Sequence, residues 1–247
     1  MLRLRAASRV QWGAAPALRG HGAFTEPRGR MCALFDTLAG IEFTEVGGRE
    51  TRAFFETTPF EPTDSEREDD ALRAFVRALD QHLCAPNQEN AAYNFAVSVE
   101  LLACFGPHVA LAHVGTTIAF AVRDQQLEQL TFAHNLPREF QRLGSDVPEA
   151  YASPRYRTVV VNAIGPSFRR DANTTRRVDT VLLPAVQGDR YVLVTPGITD
   201  VLEPSLIEAT LCEHPDDELA CEALVRAALD AGSREGISVV VATLVRA

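Results

Sequence analysis

The stretch GDRYVLVTPGITDVLEPSLIEATL, residues 188–211, is the most informative part of this chain. Its apolar run from Tyr191 to Val194 has the aromatic and β-branched composition of a buried strand. The turn Thr195-Pro196-Gly197 follows at once, and a helix is predicted to begin near Thr199. Turns from strand to helix often hold functional residues. This one holds a proline, which offers neither a side-chain ligand nor a backbone donor.

Further strands are predicted on both sides of this stretch, most of them joined by short turns that favour antiparallel neighbours. The closing run, residues 237–245, is apolar throughout and β-branched, which is typical of an interior strand. Residues 178–186 and 189–194 are predicted to pair with each other. The remaining predicted strands are residues 2–12, 30–36, 94–105, 108–115, 117–124, 126–132 and 155–165.

The clearest helix is predicted within residues 63–85, where five apolar residues form one stripe: Leu72, Phe75, Val76, Leu79 and Leu83. Ser65 and Glu68 have the spacing of a capping box. A short helix is predicted within 47–60, and two more near 204–212 and 216–230, the last ended by Gly232. Strand runs separated by isolated helices predict an α+β fold, an α-β-β-α sandwich of two antiparallel sheets flanked by helices, in a single domain over 1–247.

Composition excludes several classes of function. The net charge of −9 argues against nucleic acid as a partner, because phosphate binding requires a positive field. All 24 basic residues are arginine, so lysine chemistry is excluded. The five cysteines are irregularly spaced, which argues against a disulfide framework or a zinc cluster. No apolar run is long enough to span a membrane, and we expect a cytoplasmic monomer. The basic start, residues 1–25, fits a first strand better than its alternative, an organelle transit peptide.

Five segments, in order, resemble the metal-dependent Ser/Thr protein phosphatases (PPM, type 2C). Residues 188–211 and 223–244 resemble the closing pattern of that family, in which S-D-G-L-T-D-V-L precedes a helix pair and a D-N-x-T-V-V-V strand. ALAHVGTTIAFAVRDQQLEQLTFAHNL (110–136) resembles its A-N-V-G-D-S-R-A stretch, which ends in L-T-x-D-H-S. YRTVVVNAIG (156–165) and CALFDTLAG (32–40) resemble two shorter motifs. The resemblance is clearest over 30–247, and it implies the same sandwich fold.

The resemblance implies candidate metal ligands. In the family, two Mg²⁺ or Mn²⁺ ions activate a water that attacks a phosphoserine, and such hard cations need several carboxylates. Asp36 stands at the acid of the family's D-G-M-G-G motif, with Thr37 in place of the next glycine, whose carbonyl is a ligand. Glu235 stands at the acid of the final D-N pair, with Gly236 in place of the asparagine.

The other family ligands are replaced by neutral residues. Pro196 replaces the acid of the S-D-G motif, and Thr116 replaces that of G-D-S-R. The family's N-E-D pair aligns with Gly20-His21-Gly22, and Arg19 is the candidate for the phosphate-binding arginine that precedes it. Two carboxylates supply about −2 against the +4 of two divalent ions. We therefore expect no cofactor, or a single weakly bound Mg or Mn ion.

Each candidate residue also has a structural interpretation. Asp36 is as well suited to a hydrogen bond with a neighbouring turn, and Glu235 to an exposed hairpin. Asp200 matches the acid after the S-D-G motif but is better read as an acid at the start of a helix. The loop arginines would bind a phosphopeptide or an acidic partner, or would simply be exposed: Arg169, Arg170, Arg176 and Arg177.

Two functions from different classes follow. The first is a pseudophosphatase that acts by binding a protein kinase or a phosphoprotein in Ser/Thr phosphorylation signalling. The second is an active, divergent phosphatase with fewer ligands, or with misaligned acids such as Glu26, Glu42 or Glu45. A purely structural subunit is a third alternative. The first is favoured because the losses fall on metal positions, whereas the surrounding strands and helices keep their apolar patterns.

Overall fold

The computed structural model of the protein describes residues 2–11, 20–39, 41–62, 67–85, 94–168 and 176–247. Within these ranges the chain forms ten β-strands and six α-helices. The strands make two antiparallel sheets of five strands each. No helix in the described ranges is both long and apolar enough to cross a membrane.

The first sheet joins the two ends of the chain. Its strands, in spatial order, are β1 (Leu2–Gln11), β10 (Ile237–Arg246), β9 (Arg190–Val194), β6 (Ile118–Arg123) and β7 (Gln126–Gln129). Strand β1 pairs with β10 over its whole length, from Leu2 with Arg246 to Gln11 with Ile237. The basic start of the chain is therefore a first strand, as predicted, and β10 lies in the interior of the sheet.

The second sheet is made almost entirely from the first half of the chain. Its order is β2 (Gly22–Thr25), β3 (Met31–Ala39), β4 (Phe95–Cys104), β5 (His108–Val114) and β8 (Asp179–Pro184). Strands β3 and β4 are joined by nine residue pairs, which place Asp36 opposite Ser98. Nearly all of β4 is buried, because both faces of the sheet are covered.

Helices cover the outer face of each sheet. On the second sheet lie α1 (Ile41–Thr57) and α2 (Glu68–Leu83), and on the first sheet lie α5 (Pro204–Glu213) and α6 (Asp217–Asp230). Two short helices, α3 (Leu136–Arg142) and α4 (Pro196–Thr199), lie between strands. A third apolar layer lies between the sheets and includes Leu111, Leu193 and Val240. The α-β-β-α sandwich is thus confirmed.

Several local predictions are also confirmed. The predicted stripe of α2 is buried, as are Leu211 in α5 and Leu224 in α6. Gly232 follows the end of α6 with a left-handed φ of 87°. The helix predicted within 47–60 is real but longer, since α1 begins at Ile41. The capping box predicted for Ser65 and Glu68 is wrong, because α2 begins at Glu68 and its N-cap is Arg67, without a side-chain capping bond. Ser65 itself lies outside the described residues.

Two strand predictions are wrong. Residues 155–165 do not form a strand: a 3₁₀ turn occupies Pro154–Thr158, and only isolated bridges, Asn135 with Val160 and Val97 with Ile164, follow. Residues 178–186 and 189–194 do not pair with each other. Strand β8 pairs with β5 in the second sheet, whereas β9 pairs with β6 and β10 in the first.

Candidate functional site

One open cleft of about 1020 Å³ collects most of the residues singled out in the sequence. Its floor is formed where β3, the β5–β6 turn, the β9–α4 corner and the α6–β10 turn meet. Its outer wall is formed by α3 and the 3₁₀ turn 154–158. The candidate residues that line it are Asp36, Thr37, Thr116, Pro196, Asp200, Glu235 and Gly236. The sandwich therefore brings together residues from both ends of the sequence.

The two candidate carboxylates lie close enough to interact. Burial and the nearby carboxylate of Glu235 raise the pKa of Asp36 to about 7, although the backbone N–H of Thr37 favours its ionised form. Glu235 lies in the turn before β10 and is exposed, as its structural interpretation predicted, but that turn follows a helix and is not a hairpin. This end of the cleft is thus an acidic pair in which Asp36 holds a proton up to neutral pH.

Asp200 is a third acid near this pair. It directly follows α4 and caps the C-terminal end of that helix, so its interpretation as an acid at a helix start is wrong. Partial burial and Glu235 raise the pKa of Asp200, whereas Arg157 lowers it. A carboxylate at a helix C-terminus is unfavourable for the helix, so the position is not explained by helix stability.

The hydroxyl of Thr116 forms a hydrogen bond within the protein. Its Oγ1 lies 3.1 Å from the Oγ of Ser98, and its backbone N–H donates to the same Oγ at 3.0 Å. The preceding Gly115 has a φ of 106°, and a Cβ there would lie 2.2 Å from the Oγ of Ser98. The turn that carries an acid in the family is therefore held here by a serine–threonine pair.

The corner at Pro196 is tightly packed. Pro196 is the first residue of α4, a position that suits its fixed φ and missing N–H. The hydroxyl of Thr195 donates to the carbonyl of Gly236 at 3.0 Å and accepts from the N–H of Ser238 at 2.9 Å. A Cβ on Gly197 would lie 2.6 Å from the oxygen of Gly236. Proline thus keeps the bend without offering a ligand.

His21 fills space beside Gly236. The His21 side chain is buried, its Nδ1 lies 2.7 Å from the Oγ of Ser238, and burial lowers its pKa to about 4. A Cβ on Gly236 would lie 2.2 Å from the Nε2 of this imidazole. A side chain at position 236, such as the asparagine of the family motif, therefore does not fit beside a histidine at 21 in this arrangement.

Thr37 is held by the segment before β2. Its hydroxyl and its backbone N–H both donate to the carbonyl of Gly20, at 2.6 and 3.0 Å. The proposed role of its own carbonyl as a metal ligand stays a prediction. Arg19, the candidate phosphate-binding residue, lies outside the described residues.

The residues present do not fit a binuclear metal centre. Within the described ranges, no three His, Cys, Asp or Glu side chains are grouped so that they would hold a metal ion. The alternative acids do not change this result. Glu26 accepts from the N–H of Arg30 in a turn, neither Glu26 nor Glu45 lines the cleft, and the side chain of Glu42 is outside the described set.

Sequence reasoning missed three residues that shape the cleft. In the sequence His21 is only one residue of the neutral segment Gly20-His21-Gly22, and its contacts with Ser238 and Gly236 exist only in the folded chain. Arg138 and Arg157 line the outer wall. No motif identifies them, although their segment is visibly rich in arginine.

Comparison with known proteins agrees with this architecture. No protein-family model matches the chain. The protein phosphatase PhpP of Streptococcus pneumoniae is 25% identical over 170 residues, which cover 69% of this chain and 67% of PhpP. The serine/threonine protein phosphatase PstP of Mycobacterium tuberculosis is 26% identical over 176 residues, or 70% of this chain and 32% of PstP.

Solved structures show the same fold over nearly the whole chain. A crystal structure of Mycobacterium tuberculosis PstP has a TM-score of 0.82 at 23% identity and covers 99% of this chain and 100% of that one. The catalytic domain of PstP in complex with two manganese ions has a TM-score of 0.79 at 22% identity, with full coverage of both chains. In fold and in sequence, the chain is a divergent relative of the PPM-type Ser/Thr protein phosphatases.

Proposed function

We propose that the protein is a pseudophosphatase: a PPM-type homologue with an impaired metal centre that acts by binding a protein kinase or a phosphoprotein. The single observation that carries this proposal is the packing of His21 against Gly236 beside the acidic pair. His21 and Gly236, which align with two metal-binding motifs of the phosphatase family, contact each other directly. They form a closed arrangement that leaves no room for a side-chain ligand at 236.

The remaining family positions support the same conclusion. The hydroxyl of Thr116 hydrogen-bonds Ser98, and Pro196 has no ligand atom to offer. The acids Asp36 and Glu235 supply at most about two negative charges, which is too few for two divalent ions in a partly buried site. The protein would then be a monomeric, cytoplasmic component of a Ser/Thr phosphorylation system that holds its partner without turnover.

The second candidate function is an active phosphatase that uses fewer ligands. The observation that favours it is the position of Glu235, whose carboxylate raises the pKa of both Asp36 and Asp200 in the same cleft. In this alternative Asp36 and Glu235 would be the side-chain ligands of a single, weakly bound Mg²⁺ or Mn²⁺ ion, and that ion would have to supply the activated water.

Manganese titration by calorimetry, together with phosphopeptide hydrolysis, separates the two functions. A pseudophosphatase should bind no more than one ion weakly and show no manganese-dependent turnover above the rate in EDTA. A metal-replete PPM phosphatase under the same conditions is the positive control. Tight binding of two ions with metal-dependent turnover would overturn the proposal, and loss of that turnover in Asp36→Asn would assign it to this cleft.

A further inference from the structure

The charge of the protein is unevenly distributed along its sequence. Residues 133–178, which we name the arginine-rich segment, contain eight arginines and four acidic residues, a formal charge of +4. Because the whole chain has a net charge of −9, the rest of the molecule has a charge of −13. A positive region within an acidic protein points to an anionic ligand, since charge complementarity steers association and selects partners.

The described part of this segment forms the outer wall of the cleft. Helix α3 and the 3₁₀ turn 154–158 are tied together by hydrogen bonds from Leu136 N to Val159 O and from Val161 N to His134 O, both 2.9 Å. The Asn135 side chain caps α3 by accepting from the N–H of Arg138. Arg138 and Arg157 therefore project from two elements that are fixed to each other.

These two arginines differ from their neighbours in the segment. Arg142 and Arg177 both form ion pairs with Glu139, and neither lines the cleft. Arg138 contacts only uncharged groups, the Gln141 amide oxygen at 2.9 Å and the Phe132 ring at 4.7 Å. Within the described ranges, then, the guanidinium group of Arg138 has no carboxylate partner.

Arg157 is similar. It is exposed and lies near Asp200, yet it forms no hydrogen bond or ion pair with any described carboxylate. Apart from the bond of Arg138 to Gln141, the guanidinium donors of both cleft-lining arginines thus remain available to a ligand. A guanidinium group matches the oxygens of a phosphoryl group in shape and charge, and it binds them through two parallel hydrogen bonds.

A peptide fits this wall better than a free anion. Tyr151 also lines the cleft, where its ring stacks on Phe140 at 5.6 Å and contacts Tyr156 at 5.1 Å. Tyr151 is 37% exposed, so it offers an aromatic surface to residues beside the phosphorylated one. The carboxylates of Glu235 and Asp200 also line the cleft and repel a phosphate dianion of about −2, so the guanidinium groups of the wall are the part of the cleft that attracts the anion.

We propose that Arg157 and Arg138 form a metal-independent recognition site for a phosphoserine or phosphothreonine residue in a partner protein. The inference rests on the proposed pseudophosphatase function and identifies the chemistry of its partner. It places binding on the outer wall of the cleft, so phosphopeptide binding should persist when divalent metal is removed.

The test is fluorescence anisotropy in EDTA with one labelled peptide of neutral sequence in three forms: phosphothreonine, phosphoserine and unphosphorylated threonine. The wild-type chain should prefer the phosphorylated forms, and inorganic phosphate should compete only weakly. Arg157→Gln should weaken phosphopeptide binding by about tenfold or more, and Arg138→Gln by a smaller factor. Equal binding of phosphorylated and unphosphorylated peptides would overturn the proposal.

Arg142→Gln is the matched control. Like Arg138→Gln it removes one positive charge from α3, but Arg142 does not line the cleft. It should leave phosphopeptide affinity within about twofold. If Arg142→Gln and Arg157→Gln lose the same amount of phosphopeptide affinity, the peptide is attracted only by the overall positive charge of the arginine-rich segment. That result would refute a specific site. Circular dichroism verifies that each variant is folded. Absent phosphopeptide binding combined with absent turnover would refute this inference alone, whereas manganese-dependent turnover would refute the proposed function.

Discussion

Asp36 occupies an environment that opposes its charge. It lies near the middle of the second sheet's β3, opposite Ser98 and close to Glu235, and its pKa is raised to about 7 from 3.8. A carboxyl group whose pKa is higher in the folded state than in the unfolded chain favours folding only when it is protonated. Its ionisation therefore costs stability, and the cost grows as the pH rises from about 4 to about 7.

We predict that Asp36→Asn is more stable than the wild type at neutral pH and above, measured in EDTA. The gain in unfolding free energy should increase between about pH 4 and pH 7, reach about 4 kcal/mol, and then stay constant. Urea unfolding of both proteins across this pH range measures it. A gain that does not change with pH would show that the effect is one of packing and not of ionisation.

Pro196 provides a second test at the residue scale. Replacing it with Asp would return an acid to the S-D-G position, but the neighbouring Thr116 and Gly20-His21-Gly22 would remain neutral. We predict that Pro196→Asp alone shows no manganese-dependent hydrolysis of phosphopeptides above the wild-type rate. Measurable turnover by this single variant would mean that fewer ligands are missing than the sequence indicates.

Between elements, His21 and Gly236, the residues that directly precede β2 and β10, are in close contact. Gly236→Ala should cost about 1–3 kcal/mol, because the new Cβ would meet the buried imidazole of His21. The double variant His21→Ala/Gly236→Ala should lose less than the sum of the two single variants, because removing the imidazole relieves the clash. Chemical denaturation of all four proteins provides the double-mutant cycle, and additive losses would contradict direct contact.

Strands and helices can be predicted from sequence where the local apolar pattern matches the place that the element takes in the folded protein. Strands β4 and β5 follow from long apolar runs separated by a Gly-Pro turn, and α2 follows from its five-residue stripe. The run Val159-Val160-Val161 has equally strong β propensity, yet Val160 makes only one isolated bridge. The preceding 3₁₀ turn ends at Thr158, and this wall segment joins neither sheet. Propensity cannot show that a strand-like run has no neighbouring strand to pair with.

The candidate site was predictable only in part, for a related reason. Asp36 and Glu235 were found because each lies in a motif that resembles a known family. Arg138, Arg157 and His21 lie in no such motif, and their importance depends on which other elements they face. The prediction for Asp200 is wrong because the sequence pattern indicates a helix that begins near Thr199, whereas α4 ends at that residue. A local sequence pattern identifies a candidate side chain, but it does not identify the residues that surround that side chain in the folded protein.

At the scale of the whole molecule, the two sheets share one apolar layer and the two ends of the chain share one sheet. Leu111 of β5 is fully buried between the sheets, in the same cluster as Leu193 of β9 and Val240 of β10. The pairing of β1 with β10 further ties the first residues to the last. We expect neither sheet to stay folded when the other unfolds. A single domain of this kind should therefore unfold cooperatively.

We therefore predict one unfolding transition in calorimetry, with equal calorimetric and van't Hoff enthalpies. Leu111→Ala should lower the stability of the whole molecule by about 2–5 kcal/mol, because it opens a cavity between the sheets. Native-state hydrogen exchange should show this loss equally in β4 of the second sheet and in β9 of the first. Leu182→Ala is the control, since Leu182 lies on the neighbouring strand β8 but is 48% exposed. A loss confined to one sheet would show that the sheets unfold separately and that the chain is two folding units.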